Sequence, residues 1–175
     1  VLDLAKLISK KLGKSAVVGE VNGTLVDLEY KLKDNDEVNI VTYDDEVGIE
    51  VMRHTTSHVM AQAVKRLYEG VKLAGYGETG LITYMRTDST RISDEARSAA
   101  KVQIEEKYGT EYYENRYYKT NKDAQDAHEA IRPTYVELEP EKIKDSLTND
   151  QYKLYKLIYN RFIASQMSAA IYDTM

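Results

Sequence analysis

The stretch GLITYMRTDSTRIS, residues 80–93, is the one around which the chain is organised. It opens with the apolar pair Leu81 and Ile82, and hydroxyl-bearing and charged side chains follow at once. This change of character predicts a short buried strand followed by a polar helix cap.

The same stretch also has a chemical interpretation. Tyr84 stands beside the hydroxyl of Thr83 and two residues before the cation of Arg86. A tyrosine hydroxyl attacks phosphorus only where positive charge stabilises the phenolate and the phosphoryl oxygens. An arginine at this distance on an extended or tightly turned backbone can stabilise both. The residues alone therefore leave two interpretations of this stretch open: a structural strand, or a site in which Tyr84 is a nucleophile.

Three ordered blocks of sequence resemble type IA DNA topoisomerases. The first is TYMRTDS within residues 80–93, the second is AQDAHEAIRPT at 124–134, and the third begins with LTNDQYKLYKLIY at 147–159. The resemblance covers roughly residues 74–175. In that family the tyrosine attacks a phosphodiester of single-stranded DNA and becomes linked to the 5′ phosphate, so single-stranded DNA is the partner that the resemblance implies.

The resemblance also implies roles for particular residues. Tyr84 matches the nucleophile, and Arg86 matches the residue that steadies the charged phosphate. His128 matches a histidine that contacts the DNA phosphate, and Arg132 belongs to the same phosphate-binding element.

Magnesium is a further implication of the resemblance. The family holds Mg²⁺ with clustered acidic residues of a separate domain, and no stretch here resembles that domain. Asp44-Asp45-Glu46 is acidic but is typical of a polar turn. Without its metal ligands a metal-supported phosphoryl transfer loses several kcal/mol of stabilisation, and about 1.36 kcal/mol is tenfold in rate. We therefore expect the isolated chain to be nearly inactive.

Residues 1–46 predict a small α+β unit. Leucine and isoleucine recur at helical spacing up to residue 12, and Gly13 can end that helix. Asn22-Gly23 is a strong hairpin signal, because both central residues of a type I′ turn need positive φ. Residues 38–40 alternate apolar and polar side chains, as a half-buried strand does.

This N-terminal part resembles a second family. The run VLDLAKLISKKLGKSAVVGEVNGTLVDLEYKL, followed by VNIVT, resembles the TGS domain of threonyl-tRNA synthetase, a ubiquitin-like β-grasp fold. RHTTSHVMAQAVKRLY resembles the first helix of that enzyme's editing domain, so the resemblance covers about residues 1–73. The resemblance implies two further strands before Val1, so we expect this unit to lack them and to expose a strand edge. We expect an incomplete, weakly stable unit that self-associates or binds RNA or a protein.

His54 and His58 lie four residues apart on a predicted helix and so project from one face. That is the spacing of a metal-binding pair. In the synthetase they match half of the editing site, but this chain has no cysteine and only one further histidine, His128. Zinc normally takes at least three protein ligands. Two surface or interface histidines are therefore favoured, with a metal site as the alternative.

The two resemblances meet at residues 61–73, which are similar to both families. The sequence favours a chimera joined where the parents look alike over a natural fusion. We expect three parts: 1–46, an incomplete TGS-like unit; 47–73, a helix; and 74–175, the topoisomerase-like part. The glycines at 75, 77 and 80 predict a flexible linker, since their spacing is not that of a phosphate-binding loop.

The part beyond residue 93 is predicted to be mainly helical. Ser93 is a good N-cap, Gly109 ends its helix, and Thr148 with Gln151 forms a capping box. The apolar stripe of the last helix is typical of a core. Tyrosines interleave with cations over residues 110–123, which suits either single-stranded DNA or a partly ordered loop whose rings pack on the domain.

Composition sets the remaining bounds. The 175 residues are enough for one domain or two small ones, and no long apolar run spans a membrane. The absence of cysteine excludes disulfides and thiolate zinc sites and fits a cytoplasmic protein. A net charge of −5 argues against tight, independent DNA binding. The alternatives to an enzyme are thus a non-catalytic binding module and a chimera without a function.

Overall fold

The computed structural model describes residues 1–118 and 128–172. The chain divides into two compact units, residues 1–59 and 60–175, and the boundary falls inside one long helix. The fold is α+β, as predicted, with a small antiparallel sheet in the first unit and a mainly helical remainder. Among the described helices, none combines the length and the apolar character that crossing a membrane requires.

The first unit begins with two short helices, α1 (Leu2–Ile8) and α2 (Lys10–Ser15), where the sequence predicted one helix ending at Gly13. The prediction was wrong because Ser9 adopts an extended conformation, with φ −163° and ψ 151°. Its side chain accepts a hydrogen bond from the Leu12 backbone N–H and so caps α2. Gly13 lies inside α2 rather than at its end.

Three strands follow: β1 (Ala16–Val21), β2 (Thr24–Val26) and β3 (Val38–Thr42). They form an antiparallel sheet in the order β2-β1-β3. The predicted hairpin joins β1 to β2, with φ values of 51° at Asn22 and 76° at Gly23. Asn22 also donates to the Asp36 carboxylate at 2.9 Å and accepts from the Glu37 N–H at 2.9 Å. The turn is therefore tied to the segment before β3.

The long helix α3 spans Glu46–Glu69. Its start lies close to the end of β3, because a Cβ atom built on Gly48 would stand 1.8 Å from the Thr42 carbonyl oxygen. Asp45, just before the helix, accepts hydrogen bonds from the Thr42 N–H and hydroxyl. Only glycine allows this approach at position 48.

A two-stranded hairpin follows α3 in the second unit, where the sequence predicted a flexible linker. Its strands are β4 (Val71–Leu73) and β5 (Gly77–Thr79), paired antiparallel. The positive φ angles of Gly75 and Gly77, 84° and 75°, let the chain reverse tightly between them. The glycines therefore build a turn here.

The helices of the second unit are α4 (Asp94–Tyr108), the short α5 (Pro140–Ile143) and α6 (Asn149–Ser165). Single 3₁₀ turns at Thr110–Tyr112 and Lys144–Ser146 follow α4 and α5. The predicted Ser93 cap, the helix end at Gly109 and the Thr148–Gln151 capping box are all confirmed.

The core of the second unit collects Leu, Ile, Val, Phe and Tyr side chains from α3, β4, the 81–82 segment, α4 and α6. Two buried tyrosines of α6 place their hydroxyls on backbone carbonyls: Tyr155 donates to Leu138 at 2.7 Å and Tyr159 to Val136 at 2.8 Å. Burial raises the pKa of both hydroxyls. The apolar stripe of α6 is thus core, as predicted.

Candidate active site

Tyr84 follows a segment that is fixed on both sides by backbone hydrogen bonds. The Leu81 N–H donates to the Leu67 carbonyl at 2.7 Å, and the Thr134 N–H donates to the Leu81 carbonyl at 3.0 Å. Ile82 forms an isolated β-bridge with Pro133. Leu81 and Ile82 are buried in the core. The apolar opening of residues 80–93 therefore anchors the polar residues that follow it.

Thr83 joins this segment to the one that carries His128. Its hydroxyl donates to the Ala130 carbonyl at 2.8 Å and accepts from the Arg132 N–H at 2.9 Å. Its own N–H donates to the Arg132 carbonyl at 3.0 Å. The Thr83 hydroxyl thus acts both as donor and as acceptor toward residues about fifty positions away in the sequence.

Tyr84 lies at the surface between two other rings. Its ring centroid is 5.0 Å from that of His128 and 5.6 Å from that of Tyr68, the latter in an edge-to-face arrangement. The tyrosine is 36% exposed. Its hydroxyl-bearing ring is therefore held in place yet accessible from solvent.

Arg132 points its guanidinium at a neighbouring carboxylate. Nε donates to Glu129 at 2.7 Å and Nη1 donates to the Pro133 carbonyl at 2.9 Å. Burial raises the pKa of Glu129, but the hydrogen bond and charge of Arg132, with hydrogen bonds from Ser93, lower it below its ordinary value overall. The pair thus stays charged and fixes the loop between His128 and Pro133.

A groove of about 1100 Å³ lies beside Tyr84 within the second unit. One wall is the end of α3, another is α6, and Tyr84 and Arg86 are among the lining residues. Arg86 is exposed, and it forms no ion pair within residues 1–118 and 128–172. The lining is mostly apolar with a few cations: Met60, Val64, Leu154, Ile158, Phe162, Lys65, Arg86 and Arg161.

Tyr113, Tyr117 and Tyr118 each contact residues of their own unit. The Arg97 guanidinium lies 3.8 Å from the centre of the Tyr117 ring, and Lys101 lies 5.7 Å from that of Tyr113. The Tyr118 hydroxyl donates to the Ser165 carbonyl at 2.7 Å. This geometry favours the packed-loop interpretation for these three tyrosines. Lys119 and Lys122 lie outside the described residues.

Comparison with known proteins gives this geometry a family. The family model for DNA topoisomerase matches residues 50–175, well over half of the chain. The chain belongs to the DNA topoisomerase family. Topoisomerase I from Thermotoga maritima, solved at full length, is 42% identical with a TM-score of 0.50; the match covers 71% of this chain and 18% of that one. The TGS domain model matches residues 1–42.

The family implies magnesium, and the described residues do not fit it. Within residues 1–118 and 128–172, no group of three or more histidine, cysteine, aspartate or glutamate side chains is placed to hold a metal ion. Asp88 of the TYMRTDS motif is exposed and belongs to no such group.

The structure brings together Tyr84 and His128, which lie forty-four positions apart. It places Arg86 at the adjoining groove and Arg132 in the supporting loop. His54 and His58 belong to the first unit. Sequence reasoning missed Tyr68 and Glu129 as neighbours of the site. Nothing local signals Tyr68, whereas Glu129 lies beside His128 in the AHEAIRP element.

Proposed function

We propose that this chain carries the nucleophile-bearing part of a type IA DNA topoisomerase and that Tyr84 is the nucleophile. The observation that carries the proposal is the ring contact between Tyr84 and His128, because it brings together one residue from each of the first two matching blocks at the surface. Arg86, which lines the groove, supplies positive charge to the phosphate. Arg132 positions the loop and, with its remaining donors, contacts DNA.

The reaction is a reversible transesterification of single-stranded DNA. The Tyr84 oxygen forms a bond to phosphorus and loses its proton, while the bond from phosphorus to the 3′ oxygen breaks. That 3′ oxygen leaves with the upstream strand and takes a proton. The downstream strand stays linked through its 5′ phosphate, and attack by the 3′ hydroxyl restores the original backbone.

We further propose that the chain alone performs this reaction only slowly on ordinary DNA. The DNA topoisomerases of this family depend on Mg²⁺, and the described residues provide no cluster for it. The leaving 3′ oxygen therefore lacks the charge stabilisation that a metal gives. A better leaving group should bypass that deficit.

The experiment follows from this distinction. A single-stranded oligonucleotide carries a sulfur in place of one bridging 3′ oxygen and a label on its 3′ side. After a detergent quench, we expect the label to migrate with the protein even without Mg²⁺, because a thiolate leaves more readily than an alkoxide. Tyr84→Phe should abolish the labelled band.

The matched control is Tyr135→Phe, an exposed tyrosine of the same unit that does not line the groove. This variant should form the adduct like the unaltered chain. A band that persists in Tyr84→Phe would assign the attack to another residue. No band from the unaltered chain, at concentrations where fluorescence anisotropy shows binding, would refute Tyr84 as a working nucleophile.

The TGS match favours a second activity in the first unit, binding of RNA. The short helix α2 presents three exposed lysines there: Lys10, Lys11 and Lys14. Cations on one face attract a phosphate backbone. In the full chain, Lys10→Glu with Lys14→Glu should weaken binding of a labelled RNA hairpin, and Tyr84→Phe should not. Equal binding by both variants would exclude this surface; a protein partner or self-association, seen by sedimentation, would then be the alternative.

We propose that residues 1–73 derive from a threonyl-tRNA synthetase and that the chain is a chimera joined within residues 61–73. The similarity of residues 61–73 to both families supports this origin, whereas the topoisomerase match, which begins at residue 50, favours the other parent for residues 50–73. Amplification of source DNA across the junction separates the two histories: a continuous product means a natural fusion, and its absence means an assembled one. The division at residues 46 and 73 predicts the sites that limited proteolysis cuts first. Cysteine-free composition supports a cytoplasmic location, which cell fractionation would test.

A further inference from the structure

His54 and His58 occupy successive turns of α3, and their rings meet edge to face. The two Nε2 atoms are 3.0 Å apart, and the ring centroids are 4.5 Å apart. Both side chains are exposed. One Nε2 therefore donates a hydrogen bond to the other. Because the two residues are one helical turn apart, the backbone holds both nitrogens close together on the same face of α3.

This spacing suits one kind of metal ion. A metal at about 2.0–2.1 Å from both nitrogens would see them at an angle of roughly 90°. Tetragonal Cu²⁺ prefers that angle between neighbouring ligands, whereas tetrahedral zinc needs a wider one. Cu²⁺ also binds nitrogen ligands more tightly than the other divalent first-row ions.

We propose that His54 and His58 form an open, two-ligand site for Cu²⁺. Within the described residues no third histidine, cysteine, aspartate or glutamate joins them, so water completes the coordination. This is not a structural zinc site, which requires more protein ligands. The ring whose Nε2 carries hydrogen shifts that hydrogen to Nδ1 when the metal binds. The site is independent of the chemistry proposed for Tyr84.

The site should also affect the helix that carries it. The side chains from Met52 to Gln62 are all exposed, so packing contributes little to this part of α3. A metal that joins two successive turns stabilises the helical form by mass action. Hydrogen exchange of residues 54–58 should slow when Cu²⁺ is added.

The test is a calorimetric titration of the full chain with CuCl₂, with electron paramagnetic resonance of the complex. We expect one ion per chain and hyperfine coupling to two imidazole nitrogens. His54→Asn and His58→Asn should each weaken binding at least about tenfold, since the second ligand acts intramolecularly. His128→Asn should leave the affinity unchanged.

A matched variant tests whether binding depends on the relative position of the two histidines rather than on their number. Thr56→His combined with His58→Thr keeps both imidazoles but turns the second to another face of the helix. It should bind as weakly as His58→Asn. Binding equal to that of the unaltered chain, coupling to a single nitrogen, loss of binding in His128→Asn, or no binding at millimolar Cu²⁺ would each overturn the proposal. Circular dichroism confirms that each variant keeps its helices.

Discussion

In the first unit the buried apolar side chains are small, whereas the second unit buries large ones. Val18, Val21 and Val41 with Val1 and Ala5 make up the buried apolar part of residues 1–59. The second unit buries Leu67, Leu81, Ile104, Tyr155 and Phe162 among others. Because stabilisation scales with the apolar area removed from water, the second unit has much the larger driving force.

The difference shows where each unit obtains its order. The first unit relies on tight turns with polar contacts, such as Asn22 to Asp36 and Asp45 to Thr42. Exposed hydrogen bonds of this kind contribute little each. The second unit fixes its site by burying the residues next to it. The catalytic site proposed for the second unit and the weak RNA binding proposed for the first are consistent with this contrast.

The largest expected effect comes from removing the buried aromatic side chain in the last turn of α6. Phe162→Ala should destabilise the second unit by about 3–5 kcal/mol, through lost burial and the cavity left behind. Urea unfolding followed by far-UV circular dichroism, with hydrogen exchange of α6, measures the loss. Leu157→Ala is the control, because Leu157 is exposed on the same helix and its truncation should change stability by less than about 0.5 kcal/mol. Equal effects would show that α6 does not form the core.

Acid should weaken the second unit before the first. A hydrogen bond from Lys107, with further help from Lys142, lowers the pKa of Glu139 to about 2 from an ordinary 4.5. The folded state therefore gains stability from this group above pH 4.5 and loses it as the pH falls toward 2. Solvent screens part of this effect, because the two lysine side chains are 44% and 62% exposed.

Glu139→Gln should flatten this part of the pH profile, and Glu137→Gln, at an exposed neighbour, should not. In the first unit, hydrogen bonds from the Lys33 backbone to Asp36 and from the Thr42 backbone to Asp45 lower pKa values that start from 3.8. Its acid response therefore begins at lower pH. Thermal melts of the three proteins between pH 5 and 2.5, with hydrogen exchange to separate the units, test both statements. An unchanged slope in Glu139→Gln would contradict the assignment.

The smallest expected effect concerns the hairpin of the first unit. Asn22→Ala places at φ 51° a residue that adopts the left-handed region less readily than asparagine, and it removes two hydrogen bonds, which should cost about 1–2 kcal/mol. Asn22→Gly relieves the backbone strain but does not restore the two hydrogen bonds. Its stability should therefore lie between that of the unaltered chain and that of Asn22→Ala. Hydrogen exchange of β1 and β2 measures the change. If both variants behave alike, the hydrogen bonds rather than the turn geometry stabilise this unit.

Local signals in the sequence predicted most of the local structure. Asn22-Gly23, the Ser93 cap and the Thr148–Gln151 box act through near neighbours, so short-range rules suffice for them. The prediction of one N-terminal helix was wrong because Ser9 caps α2 and divides the helix, although the apolar periodicity continues through it. The β4–β5 hairpin was missed because its glycines were interpreted as a flexible linker rather than as the turn of a hairpin.

The site was predictable only in part, because short-range patterns do not show which distant residues meet. A motif resemblance named Tyr84, Arg86, His128 and Arg132, and their roles stay predictions. The contact of Tyr84 with Tyr68 depends on how α3 packs against the 81–84 segment, which no local pattern encodes. The double use of the Thr83 hydroxyl likewise appears only when two distant segments meet.

The Thr83 contact has a consequence for a chain that is still being synthesised. Thr83 and Arg132 are 49 positions apart, so the loop between them must close before Tyr84 and His128 can face each other. Closing such a loop costs entropy that only the completed core offsets. A ribosome that has not yet released residue 134 therefore holds Tyr84 before it can meet His128.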